Sequence, residues 1–236
     1  RAKVWRQNAQ QQLLSSAKRT LERIHIAPQT VKTMVEHVHP QKSLHRVKKL
    51  WQRSELRLYK ATSEQLQSID PSQKMLKDSL NALLAFHPEN GNNQRDEVLG
   101  QWLKRLENGN HVYTYVKNDR LLYYVWMVEQ PKHFFFPEVD QEATFPPNSV
   151  LLFDFYTHPQ AQERDFYHIS LAQILRDAVA LPATQYVYIA IPSENQQLRE
   201  AVESFGLTYT YSLFHEVRFG KRRQWTNLPE SKSQED

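Results

Sequence analysis

Apolar positions near the start of the chain recur three or four apart. Trp5, Ala9, Leu13, Ala17, Leu21 and Ile24 form one stripe on a helix whose other faces carry Gln, Lys and Arg. Pro28 and Pro40 bracket a shorter helix with Val31, Met34, Val35 and Val38, and a third basic helix over residues 43–55 carries Leu44, Val47, Leu50 and Trp51. From Leu56 the period drops to two: Leu56, Leu58 and Lys60 alternate with Arg57, Tyr59 and Ala61 in a short strand. Asp70 and Pro71 then open a helix with the apolar face Met75, Leu76, Leu80, Leu83 and Leu84. After a turn at residues 90–93, a second helix carries Val98, Leu99, Trp102, Leu103 and Leu106, and Asn108 with Gly109 ends it.

Residues 111–116 and 121–128 are rich in Val and Tyr, and the four residues Lys117, Asn118, Asp119 and Arg120 join them as an antiparallel hairpin. The stretch 129–148, with four prolines and the run Phe134, Phe135, Phe136, reads as a long loop of the kind that carries function. An apolar strand at 150–157, a helix at 167–180 with Leu171, Leu175 and Val179, an apolar strand at 185–191, a helix at 193–205 and a strand from Leu207 complete the series. A right-handed crossover places 150–157 parallel to 185–191 within a mixed sheet. The expected architecture is α/β, a three-layer sandwich.

Charge divides the chain. Residues 1–60 carry 14 Lys and Arg against three acids, a net of +11, and the remainder carries −7. Segregated basic charge is the footprint of an arm that meets an acidic partner, whether protein, nucleic acid or anionic membrane surface; a solvated helical extension is the plainer alternative. The longest apolar run, 121–128, is far short of the roughly 20 residues of a membrane span. Arg1 stands where an initiating Met would, with no signal sequence after it, which is the pattern of a piece taken from a longer chain.

Absent residue types exclude several chemistries. Without cysteine there is no disulfide, thiolate zinc site or cysteine nucleophile. The five glycines, Gly91, Gly100, Gly109, Gly206 and Gly220, are too dispersed for a P-loop, a dinucleotide fingerprint or a G-x-S-x-G elbow. His37, His39 and His45 lack a recognised ligand spacing, and no metal is expected.

Two stretches carry a family resemblance. Asn195-Gln-Gln-Leu198-Arg-Glu-Ala-Val202-Glu-Ser-Phe205-Gly206-Leu207 resembles the N-x-x-A-x-x-x-Y-x-x-x-G-F helix and turn of GNAT acyltransferases, and Phe153-Asp-Phe-Tyr-Thr157-His158-Pro159 is similar to their strand ending in V-x-P. The resemblance covers about residues 56–219 and implies a GNAT-like mixed sheet flanked by helices. The basic helical extension at 1–55 would precede it, and a polar tail at 220–236 would follow. It further implies a cytoplasmic transferase that binds acetyl-CoA or another acyl-CoA between two splayed parallel strands and passes the acyl group to an amine-bearing acceptor. By position, Phe155, Tyr156 and Thr157 would face the pantetheine. Gln162, Arg164, Asp165 and the N–H groups of Phe166, Tyr167 and His168 would lie at the pyrophosphate, and Asn195, on the 193–205 helix, would be a further cofactor-binding residue. The sequence departs from the family pattern at two points: residues 162–167 contain no glycine, and Val202 takes the place of a tyrosine often used as general acid.

Replacement acid–base groups are available. Strand alternation puts Asp154 and Tyr156 on one face and Phe153 and Phe155 on the other. A lone carboxylate among aromatic rings acquires a raised pKa and can act as base; the alternative for Asp154 is an acid paired to a neighbouring helix. Tyr209 and Tyr211, on one face of the last strand, are candidate proton donors, and packing is their alternative role. Two functions from different classes follow: an N-acyltransferase whose 129–148 loop shapes the acceptor site, and a GNAT-like binding or scaffolding module docked through its basic arm. A variant of the first, suited to the arm's charge, takes the acyl group from an aminoacyl-tRNA.

Overall fold

The computed structural model describes residues 51–66, 75–88, 92–161 and 164–227, so the expected basic helices before Trp51, with His37, His39 and His45, lie outside the described residues. Eight strands form one mixed sheet in the order β10-β9-β1-β8-β7-β4-β3-β2. These are β1 (Trp51–Thr62), β2 (Leu76–Lys77), β3 (His111–Lys117), β4 (Arg120–Glu129), β7 (Ser149–Thr157), β8 (Tyr186–Pro192), β9 (Thr208–Arg218) and β10 (Lys221–Asn227), while β5 (His133–Phe136) and β6 (Gln141–Thr144) make a separate hairpin. The helices among the described residues are α1 (Leu80–Leu84), α2 (Asn92–Glu107), α3 (Arg164–Ala180) and α4 (Gln196–Ser204).

Three layers follow from where the apolar side chains go. On one face, Leu171, Ile174, Leu175 and Ala178 of α3 and Leu198, Ala201 and Val202 of α4 pack on Val125, Met127, Val150, Leu152, Val187 and Ile189. On the other, Leu83 of α1, Trp102 of α2 and Phe136 and Ala143 of the small hairpin pack on Leu58, Trp126, Leu151, Phe153 and Tyr188. Residues 121–127 of β4 are buried throughout because both faces of that central strand are covered. The mixed sheet with helices on both sides is consistent with the GNAT-like fold that the resemblance implies.

The crossover forms as the pattern predicts. β7 runs parallel to β8, with Ser149 opposite Tyr186 and Leu152 opposite Ile189, and α3 connects them. Helix α4 is fixed at both ends by its sequence: Asn195 accepts a hydrogen bond from the Leu198 N–H (3.1 Å), and Gly206, at φ +87°, lets the Leu207 N–H reach the Val202 carbonyl.

Other expectations are corrected. The hairpin turn is two residues, Asn118 and Asp119, both at positive φ, rather than four. Among the described residues, the helix expected from Asp70 forms only at Leu80–Leu84, its start at 70–74 lying outside them: Leu76 and Lys77 pair with Thr114 and Tyr113, Asp78 turns the chain at φ 52°, and Ser79 caps what remains. Its predicted apolar face is therefore split, with Leu76, Leu80 and Leu84 about half exposed and Ala82 and Leu83 buried. Residues 51–55 are strand rather than the end of a basic helix, since β1 continues past Leu56 to Trp51. The 129–148 stretch folds into β5 and β6 rather than a loop. Part of the expected polar tail is β10, turned back by Phe219 and Gly220 and paired residue for residue with β9.

Candidate functional site

The site grows out of an irregularity in β7. Tyr124 lies opposite Tyr156 and Trp126 opposite Phe153, so the single residue Val125 faces both Asp154 and Phe155. That is a β-bulge. Asp154 holds it at φ 49°, a conformation aspartate tolerates better than most residues. The parallel ladder to β8 stops at Leu152 and Ile189, one residue before the bulge residues begin to turn away. Beyond that point residues 153–157 remain tied to β4, the His158 N–H bonds the Leu122 carbonyl at 2.8 Å, and the pairing of β7 with β8 has ended.

The bulge overturns the expected side-chain alternation. Phe155 joins the α3-side core, whereas Phe153 and Tyr156 both lie with the α2-side cluster, so Phe153 and Phe155 do not share a face. Asp154 meets the α2 side as well. The Nη1 group of Arg105, from α2, donates to Asp154 Oδ2, and the Tyr124 hydroxyl approaches Oδ1 at 3.4 Å. Asp154 is thus the acid paired to a neighbouring helix, not a lone carboxylate. The Arg105 guanidinium rests on the rings of Trp126 (5.1 Å) and Phe153 (5.3 Å), a cation–π seat.

Around this pair the walls are aromatic. Tyr156 stacks on Tyr124 at 5.2 Å, Phe86 meets the edge of Tyr156 at 5.8 Å, and Phe134 of β5 lies 4.5 Å from Phe153. Burial, followed by the charge of Asp154, pushes the Tyr124 hydroxyl well above its ordinary pKa, so it stays protonated and donates. Glu138, exposed in the turn between β5 and β6, is pushed up by partial desolvation; the negative charge of Asp154 adds to this and the positive charge of Arg105 opposes it. The sequence pattern does not single out Arg105, Tyr124 or Glu138. The one signal was the aromatic stretch after residue 129, already suspected of shaping the site.

The remaining expected residues are scattered in role. Tyr211 packs on the α2-side cluster, and burial raises its pKa. Tyr209 instead sets its ring edge against Tyr59 of the α3-side core and shares a 2.9 Å hydrogen bond with Ser212, so the two tyrosines do not work on one face. Thr157 is half-buried, and its Oγ1 is buried without a partner. Gln162 lies outside the described residues, as do the side chains of Arg164, Asp165 and Phe166.

Helix α3 starts at Arg164, three residues before the expected Tyr167. The free N–H groups of its first turn are therefore those of residues 164–166, while the N–H groups of Tyr167 and His168 point back along the helix at its own carbonyls. The Tyr167 side chain is core, edge-on to Tyr123 at 6.4 Å, and His168 packs against Phe205 of the α4 C-terminus. Asn195 spends its carbonyl on the α4 cap, and Val202 is fully buried. Among the described residues no group of three His, Asp or Glu side chains could hold a metal ion, and no helix is long and apolar enough to cross a membrane.

No family model matches the chain, and no curated protein matches it. Solved structures do. A functionally unknown conserved protein from Staphylococcus epidermidis is 11% identical with a TM-score of 0.50, over 78% of this chain and 69% of that one. An acetyltransferase of the GNAT family from Colwellia psychrerythraea is 12% identical with a TM-score of 0.47, over 72% of this chain and 57% of that one. A Drosophila protein solved as a structural-genomics target is 12% identical with a TM-score of 0.43, over 80% and 58%. At 11% identity the likeness to the staphylococcal protein is one of fold alone.

Proposed function

We propose that the chain is an N-acyltransferase that moves an acyl group, in the first instance acetyl, from coenzyme A to an amine. The observation that carries this reading is the end of the β7–β8 ladder at Leu152 and Ile189, directly before a bulge in β7. Separation of two parallel strands leaves the inner backbone edge of residues 153–157 available to an extended ligand such as a pantetheine arm. Phe155 and Thr157 line that edge on the α3 side, and the unpartnered Thr157 hydroxyl suits an amide of the arm. The N–H groups of residues 164–166 and the Arg164 side chain are assigned to the pyrophosphate.

On the α2 side of the same bulge the amine nitrogen attacks the thioester carbon. The C–N bond forms as the C–S bond breaks, the surplus proton of the amine passes to a carboxylate, Asp154 or Glu138, and the departing thiolate takes a proton from Tyr156. Titration calorimetry with acetyl-CoA tests the donor half. Weak binding is expected, weakened further by Arg164→Glu. No heat and no shift in melting temperature at saturating coenzyme would replace this reading with that of a binding module, which is favoured by one feature: Asp154 is already engaged by Arg105.

A further inference from the structure

Acyl transfer to a simple amine requires a base and an acid but no guanidinium beside the acceptor. Arg105 is nonetheless held there. Its side chain, one quarter exposed, crosses from α2 over Trp126 and Phe153 and ends against the bulge. A guanidinium offers five N–H donors. Among the described residues the hydrogen bonds of Arg105 are confined to Nη1 on Asp154, leaving Nε and Nη2 to a ligand. Directly beneath it the indole N–H of the fully buried Trp126 also lacks a partner.

We infer that the acceptor is a free α-amino acid with an apolar side chain, its carboxylate held by Arg105 and its ammonium by Asp154. Three features select that chemistry. First, a carboxylate matches the fork of an arginine already oriented by an aromatic floor, two parallel hydrogen bonds being the strong geometry. Second, a carboxylate sits directly beside that cation: Arg105 Nη1 donates to Asp154 Oδ2, and the Tyr124 hydroxyl approaches Oδ1 at 3.4 Å. A dianion such as phosphate is repelled there, and an amine without a carboxylate leaves Arg105 unused, whereas a zwitterion satisfies both signs. Third, the surrounding walls are the rings of Phe134, Phe153 and Tyr156, which suit an apolar side chain. The inference rests on the acyltransferase reading for the term acceptor, but the binding it describes does not depend on coenzyme.

The test is a titration of the full chain, without coenzyme, by L-phenylalanine, by phenethylamine, which lacks the carboxylate, and by 3-phenylpropionate, which lacks the amine. L-Phenylalanine is expected to bind at least tenfold more tightly than either analogue. Arg105→Gln is expected to remove the tenfold preference over phenethylamine while leaving phenethylamine binding unchanged, and Asp154→Asn to weaken both amines but not 3-phenylpropionate. Because Arg105→Gln strips Asp154 of its cation, the neutral double variant Arg105→Gln with Asp154→Asn guards against misfolding and should also lose L-phenylalanine. Equal affinity for L-phenylalanine and phenethylamine, equal affinity for L-phenylalanine and its amide, or binding of none of them would overturn the inference. Loss of acetyl-CoA binding with amino-acid binding intact would instead sink the acyltransferase reading and leave this site standing.

Discussion

The two halves of β7 share one strand and behave as different materials. Residues 150–152 are laddered on both sides, to β4 and to β8, Ser149 is laddered to β8, and all four are fully buried. Residues 154–157 are laddered only to β4, begin with a bulge, and are half-buried. The first half is scaffold: it is paired to strands on both sides, and Val150, Leu151 and Leu152 are packed in the cores of the two faces. Among the described residues the second half has a backbone edge unpaired with β8 and mixed polar chemistry, and the packed first half positions it. A site built on the loose end of a rigid strand gains placement without losing access.

The sharpest way to break this comparison is to perturb the scaffold half. Leu152→Ala removes a fully buried side chain between β4 and β8 and is expected to destabilise the fold by about 2–5 kcal/mol, read from chemical denaturation. If the same change left stability within experimental error, the two halves would not differ as described. On the site side, Arg164→Glu is expected to weaken acetyl-CoA by roughly 1–3 kcal/mol, the scale of a lost charge-assisted hydrogen bond, with the denaturation midpoint unchanged. Calorimetry on both proteins decides it.

Thr157→Val separates stability from binding in a single residue. Its buried hydroxyl has no partner, so replacing it is expected to raise stability by about 1 kcal/mol while lowering coenzyme affinity. A loss of stability would show that the hydroxyl is already satisfied within the fold. The smallest effect concerns Glu138. Glu138 lies at the surface, yet the partial desolvation it meets there, with the charge of Asp154 behind it, raises its pKa in the folded state above the unfolded value of about 4.3, so the native protein holds more proton than the unfolded chain between those two values. Stability contributed by the protonated group is therefore present below that window and declines as pH rises through it. Glu138→Gln is expected to flatten this limb, and an unchanged pH–stability curve would show that neither desolvation nor Asp154 acts on Glu138.

Much of the fold was legible because it rests on local signals that agree with one another. Leu171, Leu175 and Val179 at helical spacing, flanked by two apolar strands, admit little besides a crossover, and Asn195 and Gly206 mark the ends of α4 as their backbone chemistry requires. The helix around Met75 was misread because its spacing was right and its environment was not: Leu76 had a strand edge to join, and Asp78 stopped the turn by accepting the Val112 N–H at 2.9 Å. β10 was missed since Lys221, Arg222, Arg223 and Gln224 read as a solvated tail. Its strand form comes from a tight turn at Phe219 and Gly220 and from Trp225 stacking on Phe214 at 4.9 Å.

By itself the sequence determined the layered α/β class, the parallel pair and its crossover, and the stretch of β7 where chemistry was to be sought. Each of these follows from periodicity and capping, which are properties of neighbours along the chain. Only the tertiary structure decided what Asp154 is. Its bulge arises where pairing with β4 continues after pairing with β8 has ended, and its partners come from 49 residues back on α2 and 30 back on β4. No local pattern encodes a strand whose two neighbours let go at different points, and it is that mismatch which turns Phe155 from Phe153, brings Arg105 to Asp154 and opens the edge of β7.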